Sequence, residues 1–250
     1  MWTRGLALQI PRLAAGDLSA SVVCCGQALC TRSVRRGSCG TMAAARKGPT
    51  AGSWDKMWRN GIPPGLFFDA ARCEPALVDL VEAAVPPLPT GLALVPGCGR
   101  GYAVEALAAA GSRFAVGLEL SPTGASVARD YLEGNAWTAI LTVDFFTGNL
   151  GEGTFDLIYD CTFLCAINPD MRRAWADRMH CLLAPGGELV IDIFPIGTHT
   201  TGPPFAMCEE LVRGLLEPLG FVCTLLEPPK ELARPKTSSG ELISRWVKAA

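Results

Sequence analysis

The sequence predicts an α/β fold, a seven-stranded and mostly parallel sheet with helices on both faces. Three observations predict it. From residue 73 onward, short apolar runs alternate with helical repeats, the pattern of parallel strands joined by crossover helices. The first strand breaks directly into glycines at 97, 99 and 101, a turn that lets backbone approach a ligand. The second strand ends on Glu119, eighteen residues after Gly101. A carboxylate at that tip can take both hydroxyls of a ribose.

The elements follow in order. Trp54 and Trp58 stand four apart and share one helix face ahead of the sheet. Cys73 to Ala84 carries Ala76, Leu77, Leu80, Val81 and Ala84 at helical spacing, and Pro86, Pro87 and Pro89 end it. Leu92 to Val95 is a short buried strand, and the alanine- and leucine-rich run Tyr102 to Ala110 is the helix after the glycine turn. Phe114 to Leu120 is the second strand, with Ser121 as N-cap of a helix reaching Leu132. Trp137 to Val143 is the third, ending at Asp144, and Phe155 to Tyr159 the fourth, ending at Asp160. Asp170 to Leu183 is a helix with Met171, Ala174, Trp175, Met179 and Leu182 on its apolar face, stopped by Pro185-Gly-Gly187. The strand Glu188 to Phe194, the helix Met207 to Leu216 and the strands Phe221 to Leu226 and Leu242 to Val247 complete the pattern. Ligands of such sheets sit outside the carboxyl ends of the strands. There the chain places Gly97 to Gly101, Glu119, Asp144, Asp160 and the loop after Phe194, which carries His199.

Composition narrows the function. A formal net charge of −2 speaks against a nucleic-acid partner, which calls for a basic surplus or patch. No apolar run approaches the roughly 20 residues of a membrane helix. The eleven cysteines are odd in number and scattered, with no C-x-x-C pair, so neither a disulfide framework nor a structural metal site is expected. Residues 1 to 52 are another material. Arg4, Arg12, Arg32, Arg35, Arg36, Arg46 and Lys47 face a single Asp17 in a Ser-, Ala- and Gly-rich background. That composition is expected of a disordered leader and of an organellar transit peptide, mitochondrial or plastid. A start at Met42 would instead leave the protein cytoplasmic. Residues 53 to 250 are expected to form the folded domain, acting as a monomer.

The glycine spacing bears on the ligand. The dinucleotide fingerprint G-x-G-x-x-G needs its third glycine at 102, where this chain has Tyr102. The form found, Gly97-x-Gly99-x-Gly101, resembles the first motif of class I S-adenosylmethionine (SAM) methyltransferases. Eight blocks then occur in order: Trp54-Asp-Lys-Met-Trp58, Leu94-Val-Pro-Gly-Cys-Gly99, Gly117-Leu-Glu119, Asp144-Phe-Phe146, Phe155-Asp-Leu-Ile-Tyr-Asp160, Cys165-Ala-Ile-Asn-Pro169, Met171-Arg-Arg-Ala-Trp-Ala176 and Gly202-Pro-Pro-Phe205. Together they resemble the thiopurine methyltransferase family, and most closely its thiol and halide (thiocyanate) methyltransferase branch. The resemblance covers Trp54 to Lys248 and implies a Rossmann-like class I SAM-dependent fold with its seventh strand antiparallel at the sheet edge.

The resemblance also implies roles. Trp54 and Trp58 match an aromatic pair covering SAM. Gly97 and Gly99 match the glycine-loop contact, Glu119 the ribose ligand, and Asp144 with Phe145 the pair beside the adenine. Asp160 and Cys161 fall where the family meets the cofactor after strand four. Cys161 departs from the Tyr or Arg often found there, which leaves only a backbone contact. The segment Pro63-Pro-Gly-Leu-Phe-Phe-Asp69 departs too, with Phe67 or Phe68 in the place of a missing indole. Each residue has a plainer reading: Trp54 and Trp58 as core anchors, Asp144 as a turn cap, Asp160 as a structural acid paired with an arginine, and His199 as an exposed loop residue. Arg172 and Arg173 read as solvated helix charges, and Cys161 with Cys165 as packing at a strand end. No catalytic residue is assigned beyond the candidate His199, and no metal ligand. The expected activity is SAM-dependent methyl transfer to a small soft nucleophile: a thiol, hydrosulfide, thiocyanate or halide. A larger thiol such as a thiopurine, and SAM binding without catalysis, are the alternatives.

Overall fold

The structure, a computed structural model, describes residues 50–83, 86–109, 113–234 and 240–249. The expected leader lies outside the described residues up to position 49. Helix α1, Ala51–Arg59, begins inside the expected leader boundary because Thr50 and Ser53 form a reciprocal capping box at its start. Helix α2, Pro75–Glu82, has Pro75 at its first position, where a missing N–H costs nothing.

Seven strands form one sheet: β1 Gly91–Pro96, β2 Arg113–Glu119, β3 Thr138–Thr142, β4 Phe155–Cys161, β5 Leu183–Ile193, β6 Phe221–Glu227 and β7 Leu242–Lys248. Their order is β3-β2-β1-β4-β5-β7-β6. The order reverses at β1, whose neighbours β2 and β4 are both parallel to it. That reversal opens a crevice at the carboxyl ends. β7 is antiparallel to both β5 and β6. It is therefore an inner strand, and β6 is the edge, a correction to the edge position expected for strand seven. Burial agrees with that order: β7 has a run of four buried residues, Ile243 to Trp246, whereas in β6 only Phe221 is buried.

The remaining helices are α3 Tyr102–Ala109, α4 Pro122–Tyr131, α5 Arg172–Leu182 and α6 Glu209–Leu216. Ser121 caps α4 as expected, its hydroxyl accepting from the Gly124 N–H at 3.0 Å. α5 ends at Leu182 rather than 183, and β5 starts at once. Leu183 pairs with Phe155 before the register shifts to Leu157 opposite Glu188. Pro185-Gly-Gly187 is thus a bulge inside β5, with Gly186 at φ 73°, and not the helix stop.

Alternating strand residues feed two cores. Leu94, Ile158, Leu189 and Ile191 face Trp175 and Met179 of α5 with Val212 and Leu216 of α6. Ala93, Val95, Ala115 and Val190 face Leu77 of α2, Val104 and Leu107 of α3 and Ala125 and Ala128 of α4. Both faces of the sheet are covered, which explains the near-continuous apolar runs of β1, β2 and β4.

Candidate active site

The glycine turn after β1 bends through three positive φ values, 59° at Gly97, 55° at Gly99 and 98° at Gly101. At Gly97 the reason is close approach as well as backbone angle: a Cβ there would lie 2.7 Å from the Phe163 ring. Across the turn stands Glu119, 7% exposed. Burial pushes its carboxyl up to about 7, against the pull of backbone N–H groups from Ser121, Gly99 and Leu120. A carboxylate kept this dry at a cavity wall suits neutral hydroxyl donors such as those of a ribose.

One cavity joins these groups. Its wall includes Trp54, Trp58, Gly97, Gly99, Glu119, Asp144, Phe145 and Cys161, so eight of the nine expected cofactor residues converge. Asp144 takes the Phe146 N–H at 2.9 Å, and its position after β3 brings Phe145, Phe146 and Phe163 together as an aromatic floor. That floor suits an adenine face. Phe146 and Phe163 carried no sequence signal of their own for this role.

The cover comes from α1 and the loop behind it. Trp58 is buried against Gly124, where a Cβ would meet its indole nitrogen at 2.6 Å. Asp55 fixes the same helix to α4: the Ser121 hydroxyl and the Thr123 N–H donate to it at 2.8 and 3.1 Å. These hydrogen bonds hold its carboxyl down at about 2, and Arg59 adds an ion pair. Phe68 meets the rings of Trp54 and Trp58 edge-on, at 5.8 and 5.7 Å. Of the two phenylalanines expected to replace an indole, Phe68 lines the cavity and Phe67 is 77% exposed.

Sequence reasoning missed the latch below this cover. Asp69, nearly buried, accepts from Arg100 Nε at 2.8 Å, the Tyr102 hydroxyl at 3.2 Å and the Ala71 N–H at 2.7 Å. Arg100 also donates to the Ile62 carbonyl at 2.7 Å. The glycine turn and the cover segment are therefore tied by one carboxylate. It missed as well Glu74 and Arg234, which with the expected Cys161 form a polar wall at the β4 and β5 end of the cavity. Their only signal was the resemblance's departure at Cys161.

Two expected residues stand elsewhere. Asp160 does not line the cavity. It accepts from the Phe163 and Leu164 N–H groups at 3.2 and 3.1 Å and from the Trp175 indole at 2.8 Å, which makes it the organiser of the loop after β4. Burial pushes its carboxyl up to about 6. No arginine pairs with it among the contacts of the described residues; its partners are neutral donors. His199 is exposed in a separate shallow groove with Phe194, Thr201 and Pro203, its Nε2 3.1 Å from the Pro204 carbonyl. The loop after β5 turns away from the cavity, so the candidate catalytic histidine is not at the site. Arg172 is also corrected: it is half-buried and donates to the Ala206 carbonyl at 3.2 Å. Arg173 is exposed and pairs with Asp177, as a solvated charge does. Cys165 packs against the Thr162 carbonyl, its thiol pushed up to about 12 by burial. Among the described residues no group of three or more His, Cys, Asp and Glu side chains could hold a metal.

Known proteins are similar to this chain. "Thiocyanate methyltransferase 1" of Brassica oleracea is 39% identical over 201 residues, 79% of this chain and 85% of that protein. "Probable thiol methyltransferase 2" of Arabidopsis thaliana is 39% identical over 204 residues, covering 80% and 87%. Among solved structures, a 1,6-didemethyltoxoflavin-N1-methyltransferase of Burkholderia thailandensis with bound S-adenosylhomocysteine superposes with a TM-score of 0.62 at 21% identity, over 80% of this chain and 87% of that one. At that identity the likeness concerns the fold. The profile described as thiopurine S-methyltransferase matches residues 49–241, from the capping box of α1 to the residue before β7. With relatives this similar over most of both lengths, the chain belongs to the thiopurine S-methyltransferase family.

Proposed function

We propose that this protein is a SAM-dependent S-methyltransferase acting on a small soft nucleophile, a thiol or an anion of the thiocyanate and halide type. The observation that carries the reading is the single cavity that joins Glu119 and the Phe145 floor to the closed aromatic cover of Trp54, Trp58 and Phe68. The plant relatives named for thiocyanate and thiol methylation support the same class of acceptor. The residues fit SAM: a buried carboxylate for the ribose, an aromatic floor for the base, and indole faces for a sulfonium cation. When bound, it supplies a methyl group on a positively charged sulfur, which an in-line lone pair can take once water is excluded.

The chain's own residues do the rest. Glu119 and the glycine turn orient the nucleoside, and Asp144 holds the loop that supplies the floor. Asp69 and Asp55 hold the cover down, which keeps water out. Phe68 adds a third ring to the cover over the cavity, and the plant relatives named for thiocyanate and thiol methylation support a small acceptor over a thiopurine. The test is Glu119→Ala with labelled SAM and either hydrosulfide or iodide. Losing hydrogen bonds made by a carboxylate is worth about 1.5–3 kcal/mol, so kcat/KM for SAM should fall roughly 10- to 100-fold. Equal values for variant and parent would remove Glu119 from the site.

A further inference from the structure

The cavity spans the sheet from the ends of β2 and β3, where Glu119 and Asp144 stand, to the ends of β4 and β5. The far wall is an acid-rich cluster. Glu74 and Arg234 line the cavity there, 3.4 Å apart between Oε1 and Nη2. Behind them Asp192 of β5 and Glu241 before β7 each lie 3.9 Å from Arg234 Nη1. The Tyr159 hydroxyl is 3.4 Å from Glu74 Oε2, and Cys161 Sγ is 3.4 Å from Asp192. Asp192 and Glu241 are 3% exposed and Glu74 10%. Of these three, Glu74 is the one that lines the cavity.

A wall of three carboxyl groups around one guanidinium is a poor receptor for an anion. Iodide or thiocyanate entering this wall meets like charge at short range, in a site that water does not screen. A neutral thiol meets no such barrier, and it brings a proton that must leave before the sulfur is a good nucleophile. We propose that Glu74 is the general base that takes this proton, and that the protein is built for protic thiols in preference to preformed anions. This rests on the S-methyltransferase reading above. The balance is complete: the S–H proton goes to a Glu74 oxygen, the sulfur pair forms the new S–CH3 bond, and the pair of the broken carbon–sulfonium bond stays on the donor sulfur. Arg234 holds the charge of the transient thiolate. Burial first, and then Glu74 and Glu241, push the Asp192 carboxyl up to about 8.

The experiment compares the parent with Glu74→Gln on 2-mercaptoethanol and on iodide, with SAM as donor, from about pH 6.5 to about pH 9.5, a range that brackets a thiol of pKa near 8.5. Loss of a general base costs on the order of 100-fold. The variant's kcat/KM for the thiol should fall by that much near pH 7 and recover about tenfold per pH unit as the thiol ionises unaided. Its KM for iodide should fall several-fold, and calorimetry with S-adenosylhomocysteine present should show tighter iodide binding. Glu74→Asp should restore part of the thiol activity. Equal losses on both acceptors, with an unchanged pH profile, would mean that Glu74 only tethers the Arg234 loop, and the proposal falls. So does a parent that prefers iodide to the thiol near pH 7, a result that needs no variant to fold. A parent inactive on both acceptors overturns the S-methyltransferase reading, and this inference with it.

Discussion

Asp160 accepts two backbone N–H groups on one oxygen and the Trp175 indole on the other, and so ties the loop after β4 to α5. An amide cannot do the same. In either orientation Asp160→Asn turns an N–H₂ toward a donor, inside a core where an unmet donor costs about 1–3 kcal/mol. The variant should lose about 2 kcal/mol in urea unfolding, several degrees of Tm for a chain of this size, while the folded fraction keeps its KM for SAM within a few-fold. A KM loss far larger than the stability loss would return Asp160 to the cofactor set. Glu119 is the contrasting case: its known contacts are all backbone N–H groups, and it lies on the cavity wall. Both acids end buried strands, so position alone does not separate them. The difference is which side of the strand end each faces, and no short motif records it.

At the scale of elements, α1 is a cover held by a glycine. Gly124 gives its space to the Trp58 indole, and Asp55 joins α1 to the start of α4 through Ser121 and Thr123. Gly124→Ala adds one methyl to a full contact, a change of about 1–3 kcal/mol where neighbours cannot yield. Because α1 packs at the periphery of the sheet, the strain should displace the cover rather than unfold the domain. We expect KM for SAM to rise roughly tenfold with Tm nearly constant, and a KM equal to the parent's would separate Trp58 from cofactor binding. The central strands and the helices after them were legible because their apolar periods are strong, and so was the glycine turn. The bulge at Pro185-Gly-Gly187 was not, since Pro-Gly-Gly punctuates a helix end and a strand bulge alike. β7 inside the sheet was not legible either, because strand order depends on long-range pairing that periodicity does not carry. The latch of Asp69 and Arg100, thirty-one positions apart, and the pair of Glu74 and Arg234, one hundred and sixty apart, are of the same kind: contacts between distant segments, made by residues that read singly as surface charges.

Over the whole molecule, these choices set an unusual proton balance. Burial raises Glu119 to about 7, Asp160 to about 6 and Asp192 to about 8, while in the unfolded chain such groups titrate near 4. Between those values the folded state binds more protons than the unfolded state, so unfolding free energy falls as pH rises. Asp55, held at about 2, acts in the opposite sense. Its contribution is complete once the unfolded carboxyl has ionised near pH 4, so it cannot offset the fall at higher pH. The ligand-free protein should therefore lose several kcal/mol of stability from about pH 5.5 to about pH 8.5, at about 1.4 kcal/mol per proton per pH unit. Ribose hydroxyls donating to an ionised Glu119 would recover part of this loss. S-adenosylhomocysteine should accordingly raise the urea midpoint more near pH 8 than near pH 6 at a fixed ligand concentration. Glu119→Gln, which cannot ionise, should flatten both the pH dependence of the free protein and the pH dependence of that ligand shift. A ligand-free midpoint that stays level or rises across the interval would show that these carboxyls are ionised in the native state, and that the cavity wall is wetter than its burial implies.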